Sequence, residues 1–318
     1  MREKIAILMS VYNAEKYLKA CIDSVLNQTY SDFIFYIVND CSTDTSLKII
    51  ESYSDDRIKI IRNKENIGLT KSLNRVLDQI NTEYIARMDA DDICEPNRLF
   101  SQLTTFEESD ENLALVGSSA YLIDEDNVPF GEINIEITNL KEKLFFKNMF
   151  VHSSVMIKTN VLKEFRYNES IKYAQDYNLW VKIAQKYNVA NCDIKLIKYR
   201  VHGASVSVLK KNEQDLYVIG TINNQLKLLG IINDVERAKF AKLHLQYFVL
   251  NNEIYTFKDR LNLFFYFKKI VKLNKRKEIY NDFFNKKLIK LIKKEKEILI
   301  YRLKRFILLK IGFRLVKR

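Results

Sequence analysis

The chain has 318 residues, of which 47% are hydrophobic and 29% charged, and its formal net charge is +12 at pH 7. This length accommodates one catalytic domain of ordinary size with a smaller extension, and this apolar content can build a core. Two prolines and seven glycines indicate neither a long linker nor a disordered tail. The composition therefore excludes a largely disordered protein.

The four cysteines show no Cys-x-x-Cys spacing, which is typical of reduced thiols in a cytoplasm rather than of zinc sites or disulfides. No stretch approaches the roughly 20 apolar residues that a membrane span needs. The amino terminus also lacks a signal-peptide pattern. We therefore expect a cytoplasmic protein whose contact with a membrane is peripheral.

The first hundred residues repeat a strand followed by a helix four times. The predicted strands are Ile5–Val11, Phe33–Asn39, Ile58–Arg62 and 84–88, and the helices that follow them are 14–27, 44–53, 69–80 and 96–107. Apolar residues recur at helical spacing in the helices and are nearly continuous in the strands, as buried parallel strands require. This alternation predicts an α/β fold with a mostly parallel, Rossmann-like sheet flanked by helices.

Three carboxylates follow the fourth predicted strand, in the sequence Ala-Arg-Met-Asp-Ala-Asp-Asp at 86–92. Mg²⁺ and Mn²⁺ favour carboxylate oxygens, and Mg²⁺ is typically held by one or two carboxylates while a substrate phosphate fills other positions. The segment therefore predicts an Asp-x-Asp metal site, with Asp89 and Asp91 as ligands, for a diphosphate substrate. Alternatively, these carboxylates only cap the helix that begins near 96–98, where negative charge favours the helix dipole.

Polar residues also follow the other three predicted strands. They are Ser10-Val11-Tyr12-Asn13 after the first, Asn39 to Asp44 after the second, and Asn66-Ile67-Gly68 after the third. Open α/β sheets bind ligands in the crevice at the carboxyl ends of their strands. Asp40 can accept a hydrogen bond from a pyrimidine imide and Tyr12 offers a face for stacking, so a nucleoside diphosphate pocket is predicted. Taken singly, Ser42 and Asp44 are more typical of helix caps, and the third segment of a turn.

Together these segments resemble the family 2 glycosyltransferases with the GT-A fold, over roughly residues 4–205. The resemblance implies inverting transfer of a sugar from a nucleoside diphosphate sugar, most often a UDP-sugar. It also implies roles for individual residues: Ser10, Tyr12, Asp40, Asn66 and Arg87 as nucleotide contacts, Asp89 as a contact to both nucleotide and metal, and Asp91 as a metal ligand. Cys41 departs from the family pattern, in which glycine is usual, so the loop after the second strand is expected to bend differently.

Inverting transfer needs a base, because the acceptor hydroxyl loses its proton as it attacks the anomeric carbon. Asp176 is the candidate, since on a helix it shares an apolar face with Trp180 and Ile183 near the first turn. An N-cap is the alternative role for this carboxylate. The family usually has a Glu-Asp pair here. Gln175 replaces the Glu, which removes a neighbouring negative charge and favours ionised Asp176.

Two histidines lie in segments of interest. His152 precedes an apolar strand in a segment that resembles the acceptor side of the family, although a core or turn histidine is the favoured interpretation. His202 ends the catalytic region, and some GT-A enzymes supply a late histidine to the metal. A neutral imidazole is a feasible ligand beside carboxylates, so His202 is a third metal candidate, with a plain hydrogen-bonding role as the alternative.

The segment 257–318 contains 21 Lys or Arg and five Asp or Glu, a net charge of +16, so the first 256 residues carry −4. Its apolar residues return every three or four positions, with a stutter across 293–297: Leu288, Ile292, Leu299, Leu303, Phe306, Leu309, Phe313 and Val316. Basic amphipathic helices rest on anionic lipid with their apolar face in the interface. The alternative is a helical bundle with solvated charges. Nucleic acid is not an expected partner, because no nucleic-acid-binding motif accompanies the lysines.

We expect a GT-A catalytic domain at 1–211, with nucleotide-sugar binding at about 1–115 and the acceptor side at about 116–211, and a basic amphipathic helical region at 212–318. The predicted function is a non-processive, inverting glycosyltransferase at the inner face of the cell membrane. It would use Mn²⁺ or Mg²⁺ and a UDP-sugar to extend a lipid-linked or cell-surface glycan.

Two other functions remain open. A sugar-phosphate nucleotidyltransferase also combines an α/β nucleotide fold with a carboxylate-bound metal, but no Gly-rich loop follows the first strand here. A non-catalytic, membrane-associated nucleotide-sugar binding protein would keep the Asp run but would have no need of Asp176.

Overall fold

The computed structural model describes residues 3–203, 209–250 and 256–315, with side chains in the last helix up to residue 303. The chain divides into two compact units. The first comprises residues 1–141 and 148–217, and the second comprises residues 142–147 and 218–318.

The first unit is built on one sheet. Its strands are β1 (Ile5–Val11), β2 (Phe33–Asn39), β3 (Ile58–Arg62), β4 (Tyr84–Asp89), β5 (Ile93–Cys94), β6 (Leu113–Ile123), β7 (Pro129–Ile133), β8 (Met156–Lys158) and β9 (Asn188–Arg200). Its helices are α1 (Glu15–Leu26), α2 (Ser46–Glu51), α3 (Leu69–Leu77), α4 (Arg98–Glu107), α6 (Thr159–Phe165) and α7 (Gln175–Lys186), and α5 (Leu140–Leu144) contains residues of both units.

The strands follow the order β3-β2-β1-β4-β8-β6-β9-β5, and β7 pairs with β6. The four long pairings, β1 with β2, β1 with β4, β2 with β3 and β6 with β9, are parallel, whereas β8 and β5 join by short antiparallel pairings. The α/β fold with a mostly parallel sheet flanked by helices is therefore confirmed. Because β1, β2 and β4 run side by side in register, their carboxyl ends lie at one edge of the sheet.

Both surfaces of the central parallel strands β1 and β4 are buried, as their continuous apolar sequences require, whereas β3 at the edge is partly exposed. Ile5, Ile7 and Met9 of β1 are at most 2% exposed, and Leu18 and Ile22 of α1 pack into the same core. The predicted strands match the observed ones to within one residue. The observed helices are shorter than predicted, by one residue at each end of the first, two at each end of the second, three at the end of the third and two at the start of the fourth. The second helix starts late because the Asp44 carboxylate accepts a hydrogen bond from the Ser46 amide and holds the preceding residues in a turn.

The second unit is helical. It contains α8 (Lys211–Leu228) from residue 218 onward, α9 (Asp234–His244) with a π-helical turn at Leu245–Val249, α10 (Phe257–Lys277) and α11 (Asp282–Leu315). Residues 142–147 also belong to this unit and contribute two buried rings to it. Phe145 contacts Tyr280 and Phe284 edge to face, at centroid separations of 5.5 and 5.0 Å. The sequence did not indicate this insertion, because the segment lies far from the other helices along the chain.

Helix α11 is amphipathic, and its apolar face packs inside the helical unit. Leu288 is fully buried and Leu299 is 8% exposed, so neither side chain is available to lipid in this arrangement. Leu303 is half exposed. The side chains of Phe306, Leu309 and Phe313, together with Val316, lie outside the described residues. Among the described residues, no helix is both long and apolar enough to cross a membrane.

A buried histidine, His244, lies at the centre of the aromatic core of this unit. Its Nδ1 lies 2.8 Å from the Tyr266 hydroxyl and its Nε2 lies 3.3 Å from the Phe146 carbonyl oxygen. Burial disfavours the charged imidazolium and lowers the pKa of His244 to about 3. The folded protein therefore keeps this imidazole neutral.

We predict that His244 makes the protein less stable in mild acid. In the unfolded chain the pKa of this histidine returns to about 6.5, so between pH 6.5 and 3 the unfolded state binds a proton that the folded state does not. The free energy of unfolding then falls as the pH falls, by up to about 1.4 kcal/mol per pH unit. In His244→Gln, whose amide can still donate and accept, urea unfolding between pH 6.5 and 4.5 should lose that part of the slope. Equal slopes in the two proteins would contradict the prediction.

Candidate active site at the carboxyl edge of the parallel strands

The three carboxylates after β4 turn toward different partners. Asp89 Oδ1 pairs with Nη2 of Arg87, and Asp91 Oδ2 lies 3.0 Å from Nε2 of His202. Asp92 accepts hydrogen bonds from the Ser153 hydroxyl and, at 2.8 Å, from the Arg200 amide. The N-cap of α4 has no side-chain hydrogen bond, so capping of this helix does not account for the Asp run.

Asp89 and Arg87 form an ion pair in which Arg87 is 2% exposed. Burial acts to raise the pKa of Asp89, but the guanidinium of Arg87 outweighs it and holds that pKa below its ordinary value. The Asp89 side chain keeps 28% of its surface exposed. A carboxylate in this state stays ionised and accessible, as a contact to a ribose hydroxyl or a cation requires.

Asp91 and His202 supply a carboxylate and an imidazole at one point. Burial raises the pKa of Asp91, and the negative charge of Asp89 raises it further. An added positive charge would stabilise the ionised form of such a carboxylate. Among the described residues, no three His, Cys, Asp or Glu side chains are grouped so as to hold a metal ion by themselves. The pair nevertheless fits a hard divalent cation that takes its other ligands from a diphosphate, since Mg²⁺ is commonly bound through one or two carboxylates plus phosphates.

Asp92 has a different position, because it is 1% exposed and its acceptors are occupied from two sides. Burial, followed by the charges of Asp91 and Asp89, raises the pKa of Asp92 well above its ordinary value. Its bonds to Ser153 and Arg200 join the segment 89–92 to the short helix after residue 151 and to the end of β9. Asp92 therefore shapes the site and does not enter it.

The side chain of Arg200 also connects separate segments of the site, and the sequence did not indicate this role. Its Nε donates to the Asp91 carbonyl oxygen at 2.7 Å and its Nη1 donates to the Asp124 carbonyl oxygen at 2.7 Å. Its guanidinium carbon lies 4.5 Å from the centroid of the Tyr17 ring, which also contacts the His202 ring at 5.0 Å. Arg200 thereby connects the backbone of Asp91 to that of Asp124, and through the Tyr17 ring it is linked to His202.

The loops after β1 and β2 are bonded to each other. The Asn13 amide donates to the Ser42 hydroxyl at 3.2 Å, the Thr43 amide donates to Asn13 Oδ1 at 2.8 Å, and the Glu15 amide donates to Asp44 at 3.1 Å. Asp44 thus accepts from the first amides of α1 and α2, as a capping residue does, whereas Ser42 joins the two loops and caps neither helix.

Two predicted nucleotide contacts lie beside these loops. Ser10 lies near the end of β1, in the parallel ladder opposite Asp89 of β4. Tyr12, after the end of the strand, is 49% exposed and presents its ring to solvent. Both residues are therefore placed at the carboxyl edge, and the Tyr12 ring is available for stacking.

Asp40 is buried and holds the turn after β3. Its carboxylate accepts from Nδ2 of Asn63 at 2.7 Å and from the amides of Ile67 and Gly68 at 3.0 and 2.8 Å. Gly68 has a φ of 86°, which favours glycine, and its amide also lies 3.1 Å from Asn66 Oδ1. An ionised carboxylate offers about four acceptor positions, so one remains on Asp40 for a ligand.

Asp176 lies in the first turn of α7, and Ala174, with a left-handed φ of 57°, occupies the N-cap position instead. Nδ2 of Asn148 donates to Asp176 Oδ2 at 2.8 Å. Burial raises the pKa of Asp176. The Tyr177 amide and Asn148 oppose this shift, and the negative charge of Asp89 adds to it. Asp176 is therefore a carboxylate of increased basicity within the electrostatic reach of Asp89.

His152 lies behind the same site, in a 3₁₀ turn at His152–Ser154. Its Nε2 lies 2.9 Å from the Tyr167 hydroxyl, and its ring centroid lies 6.0 Å from that of Trp180. Burial first, and then the positive charge of Arg87, lower the pKa of His152 to about 3. This histidine is neutral near pH 7.

Apart from His152, the candidate residues thus lie at or near the ends of five strands, β1, β2, β3, β4 and β9, and at the start of α7. The Asp91–His202 pair and Asp89 are the kinds of groups that bind a cation and a diphosphate, and Asp176, with its raised pKa, is the kind of group that accepts a proton. Sequence patterns found these residues because each carries an unusual polar group next to an apolar element. They missed Asn148, Ser153 and Arg200, whose only sequence signal was their proximity to the two histidine segments.

The sequence resembles known glycosyltransferases. The profile described as Glycosyl transferase family 2 matches residues 6–169. An uncharacterized glycosyltransferase of Methanocaldococcus jannaschii is 36% identical over 231 residues, covering 70% of this chain and 79% of that protein. The O-antigen biosynthesis glycosyltransferase WbnJ of Escherichia coli is 33% identical over 214 residues, covering 64% of this chain and 82% of that protein.

Solved structures resemble the fold. S. aureus TarS 1–349 in complex with UDP-GlcNAc aligns with a TM-score of 0.61 at 17% identity, covering 85% of this chain and 83% of that chain. A mannosyltransferase from Pyrobaculum calidifontis, in complex with GDP-Man and Mn²⁺, aligns with a TM-score of 0.52 at 15% identity, covering 96% of this chain and 83% of that chain. At these identities the likeness concerns the fold alone, and it confirms the GT-A type expected from the sequence.

Cys41, at the start of the loop after β2, has a φ of 59°, in the left-handed region that favours glycine. We predict that Cys41→Gly is tolerated, because glycine relieves a backbone cost of about 1–2 kcal/mol while giving up a similar amount of chain entropy. The β-branched variant Cys41→Val should unfold with a free energy about 1–2 kcal/mol lower than that of Cys41→Gly. Thermal and urea unfolding of the two variants would measure the difference. Equal stabilities would mean that the loop can relax away from this conformation.

Proposed function

The chain belongs to glycosyl transferase family 2, and from this we propose that it is an inverting, metal-dependent, non-processive glycosyltransferase. The donor would be a UDP-sugar, and the acceptor a hydroxyl group of a lipid-linked or cell-surface glycan. The observation that carries the proposal is the meeting of Asp89, Asp91 and His202 with Asp176 at one edge of the sheet. A binding protein would need the first three residues and would have no use for a basic carboxylate beside them.

The nucleotide would lie along the ends of β1, β2 and β4, which gives residues up to about 115 the role of donor binding. The exposed ring of Tyr12 would stack on the base, with Ser10 beside it. The free acceptor position of Asp40 would receive the imide N–H of uracil, which favours UDP over nucleotides whose base lacks that group. Asn66 would border the base through the turn that Asp40 holds. Arg87 and Asp89 would contact the ribose and the phosphate region.

The metal is Mn²⁺ or Mg²⁺ in this proposal, held by Asp91 and His202 with Asp89 alongside. When bound, it neutralises negative charge on the departing diphosphate as a Lewis acid. The chain's own residues set its position: Arg200 fixes the backbone of Asp91, and Asp92 fixes the loop on the other side. A structural neighbour that is in complex with GDP-Man and Mn²⁺ supports this choice of metal class.

Asp176 is the proposed general base. Its raised pKa brings the carboxylate closer to neutral pH, where a base accepts a proton more readily while it is still ionised. Asn148 orients the carboxylate by donating to Oδ2, and the acceptor hydroxyl would give its proton to this oriented carboxylate. Attack by that hydroxyl opposite the leaving diphosphate inverts the anomeric carbon. Gln175 carries no charge, so no carboxylate adjacent in the sequence raises the pKa of Asp176 further.

The acceptor side would be formed by residues from about 116 to 211. The name of WbnJ, an O-antigen biosynthesis enzyme, supports a surface glycan as acceptor. We further propose that the protein works in the cytoplasm at the inner face of the cell membrane. The net charge of +16 in residues 257–318 would attract the helical region to anionic lipid.

Donor turnover separates this proposal from the two other functions. Mixtures of the protein with UDP-, GDP- and dTDP-sugars, with and without Mn²⁺, would be assayed for released products. Metal-dependent release of free UDP supports the glycosyltransferase. Release of pyrophosphate from a sugar phosphate and UTP would support a nucleotidyltransferase, and binding without either product would support a non-catalytic protein.

Asp91→Ala is predicted to abolish transfer and nearly all metal-dependent binding of UDP, because it removes the carboxylate of the proposed cation site. Isothermal titration of UDP with and without Mn²⁺ measures this directly. Asp193→Ala, which removes an exposed carboxylate from β9, is the matched control and should bind as the unmodified protein does. Unchanged metal-dependent affinity in Asp91→Ala would remove this residue from the site.

Asp176→Asn is predicted to leave UDP affinity within a few-fold but to reduce turnover by about 10² or more, the usual contribution of a positioned base. The near-isosteric amide keeps an oxygen that can accept from Asn148, so the local structure should persist. His152→Gln is the companion variant. A loss of turnover confined to His152→Gln, with Asp176→Asn fully active, would transfer the role of base to the histidine.

A further inference from the structure

Helix α10, Phe257–Lys277, is held in the helical unit by one face only. Leu263, Tyr266, Phe267 and Ile270 on that face are fully buried. The helix has 21 residues and is therefore about 30 Å long. Its opposite face is exposed along this whole length, and the residues there differ from those of an ordinary solvated helix.

Three large apolar side chains lie in a row on the exposed face. Phe257 is 45% exposed, Leu261 is 37% exposed and Phe265 is 55% exposed. Their spacing of four residues places them above one another along the helix. An ordinary surface helix carries polar residues at such positions. The row is therefore an apolar strip directed away from the core.

The remaining exposed positions of this face are cationic: Lys258, Lys268, Lys272, Lys275 and Arg276. Within α10, which the structure describes in full, Asp259 is the one acidic residue, and its carboxylate is engaged with Thr256 in the capping box. The face thus combines apolar groups with positive charge and offers no acidic partner of its own helix to that charge.

Helix α11 does not offer the same combination. The leucines that its sequence pattern directs to one side, Leu288 and Leu299, are buried in the helical unit. In the described part of α11 the exposed apolar side chains are Ile289, Ile300, Tyr301 and Leu303, and the first two lie 11 positions apart. The apolar row with a spacing of four residues is therefore that of α10, which makes α10 the candidate contact surface.

We propose that the exposed face of α10, defined by Phe257, Leu261 and Phe265 with the five cations named above, docks on the anionic headgroup surface of a lipid bilayer. The inference rests on the membrane part of the proposed function and deepens it by naming the surface. The two phenyl rings and the leucine enter the boundary between headgroups and acyl chains, and the cations pair with lipid phosphates. This distribution is typical of helices that lie in the interface plane.

Two other occupants of this face, a second copy of the chain and an acidic protein, fit it less well. A second copy docking through the same face would bring five cations opposite five cations, which opposes association. An acidic protein would complement the charge, but protein interfaces are depleted in lysine and rely on aromatic groups that fill pockets. Four lysines on a convex helix face fit a fluid anionic surface better.

The test compares vesicle binding of full-length variants. Sedimentation with phosphatidylglycerol vesicles and with phosphatidylcholine vesicles would be measured for the unmodified protein, Phe257→Ser with Phe265→Ser, and Lys268→Glu with Lys272→Glu. Ile232→Ser with Val235→Ser is the matched apolar control, since these side chains are 85% and 81% exposed on another part of the helical unit. Lys211→Glu with Lys242→Glu is the matched charge control.

We expect binding to phosphatidylglycerol but not to phosphatidylcholine, weakening as salt rises. Both α10 variants should lose about tenfold or more of the partition coefficient, and both controls should bind as the unmodified protein does. Should the serine variant unfold, as thermal denaturation would reveal, the charge-reversal variant decides. Removing α11 is not a substitute, because it would expose buried residues such as Leu288.

Two results would overturn the inference. Absence of binding to phosphatidylglycerol would refute docking on an anionic bilayer, and unchanged binding by the α10 variants would refute this face. Release of UDP from a UDP-sugar, measured in solution on the same preparations, reports on the catalytic proposal independently. An active protein that does not bind vesicles would thus refute the membrane part of the proposal and leave the catalytic part standing.

Discussion

The site depends on how three carboxylates at the end of one strand are kept from repelling one another. Asp89, Asp91 and Asp92 lie in a poorly solvated region, where like charges interact strongly. Each is compensated differently: Asp89 by the guanidinium of Arg87, Asp91 by the imidazole of His202, and Asp92 by two hydrogen bonds and a raised pKa. Because the three partners come from β4, the end of β9 and the turn at Ser153, the carboxylates draw distant parts of the sheet together.

The first half of the sheet was predictable because local signals agree there. Apolar strands, amphipathic helices and polar strand ends all indicated the same topology, and the four strands formed where the pattern placed them. The polar loops were less predictable, since Asp44 serves equally well as a ligand or as a cap. Only the structure distinguishes these roles, by the amides that the carboxylate accepts from. Contacts between residues remote in sequence, such as Asn148 with Asp176, left no local signal.

In the helical unit, the spacing of apolar residues identifies the apolar face of a helix but not the surface against which that face packs. The heptad-like repeat of α11 correctly indicated an amphipathic helix, and Leu288 and Leu299 do lie on one side of it. Amphipathicity alone does not say whether that side meets lipid or protein. The answer came from rings that the pattern did not connect with these helices, above all Phe145, which joins the aromatic core from a point more than a hundred residues earlier.

The bond between Asp92 and Arg200 spans 108 residues. On the ribosome the chain emerges from its amino terminus, so β1 to β4 can pair while the strand that carries Arg200 has not yet been made. During that interval the Arg200 amide is not available, so the Asp92 carboxylate lacks the hydrogen bond that it accepts from this amide. The carboxylate cluster can therefore reach its final arrangement only after β9 has joined the sheet. Completion of this carboxylate cluster is in this way postponed until the end of β9 has been synthesised, about two thirds of the way along the chain.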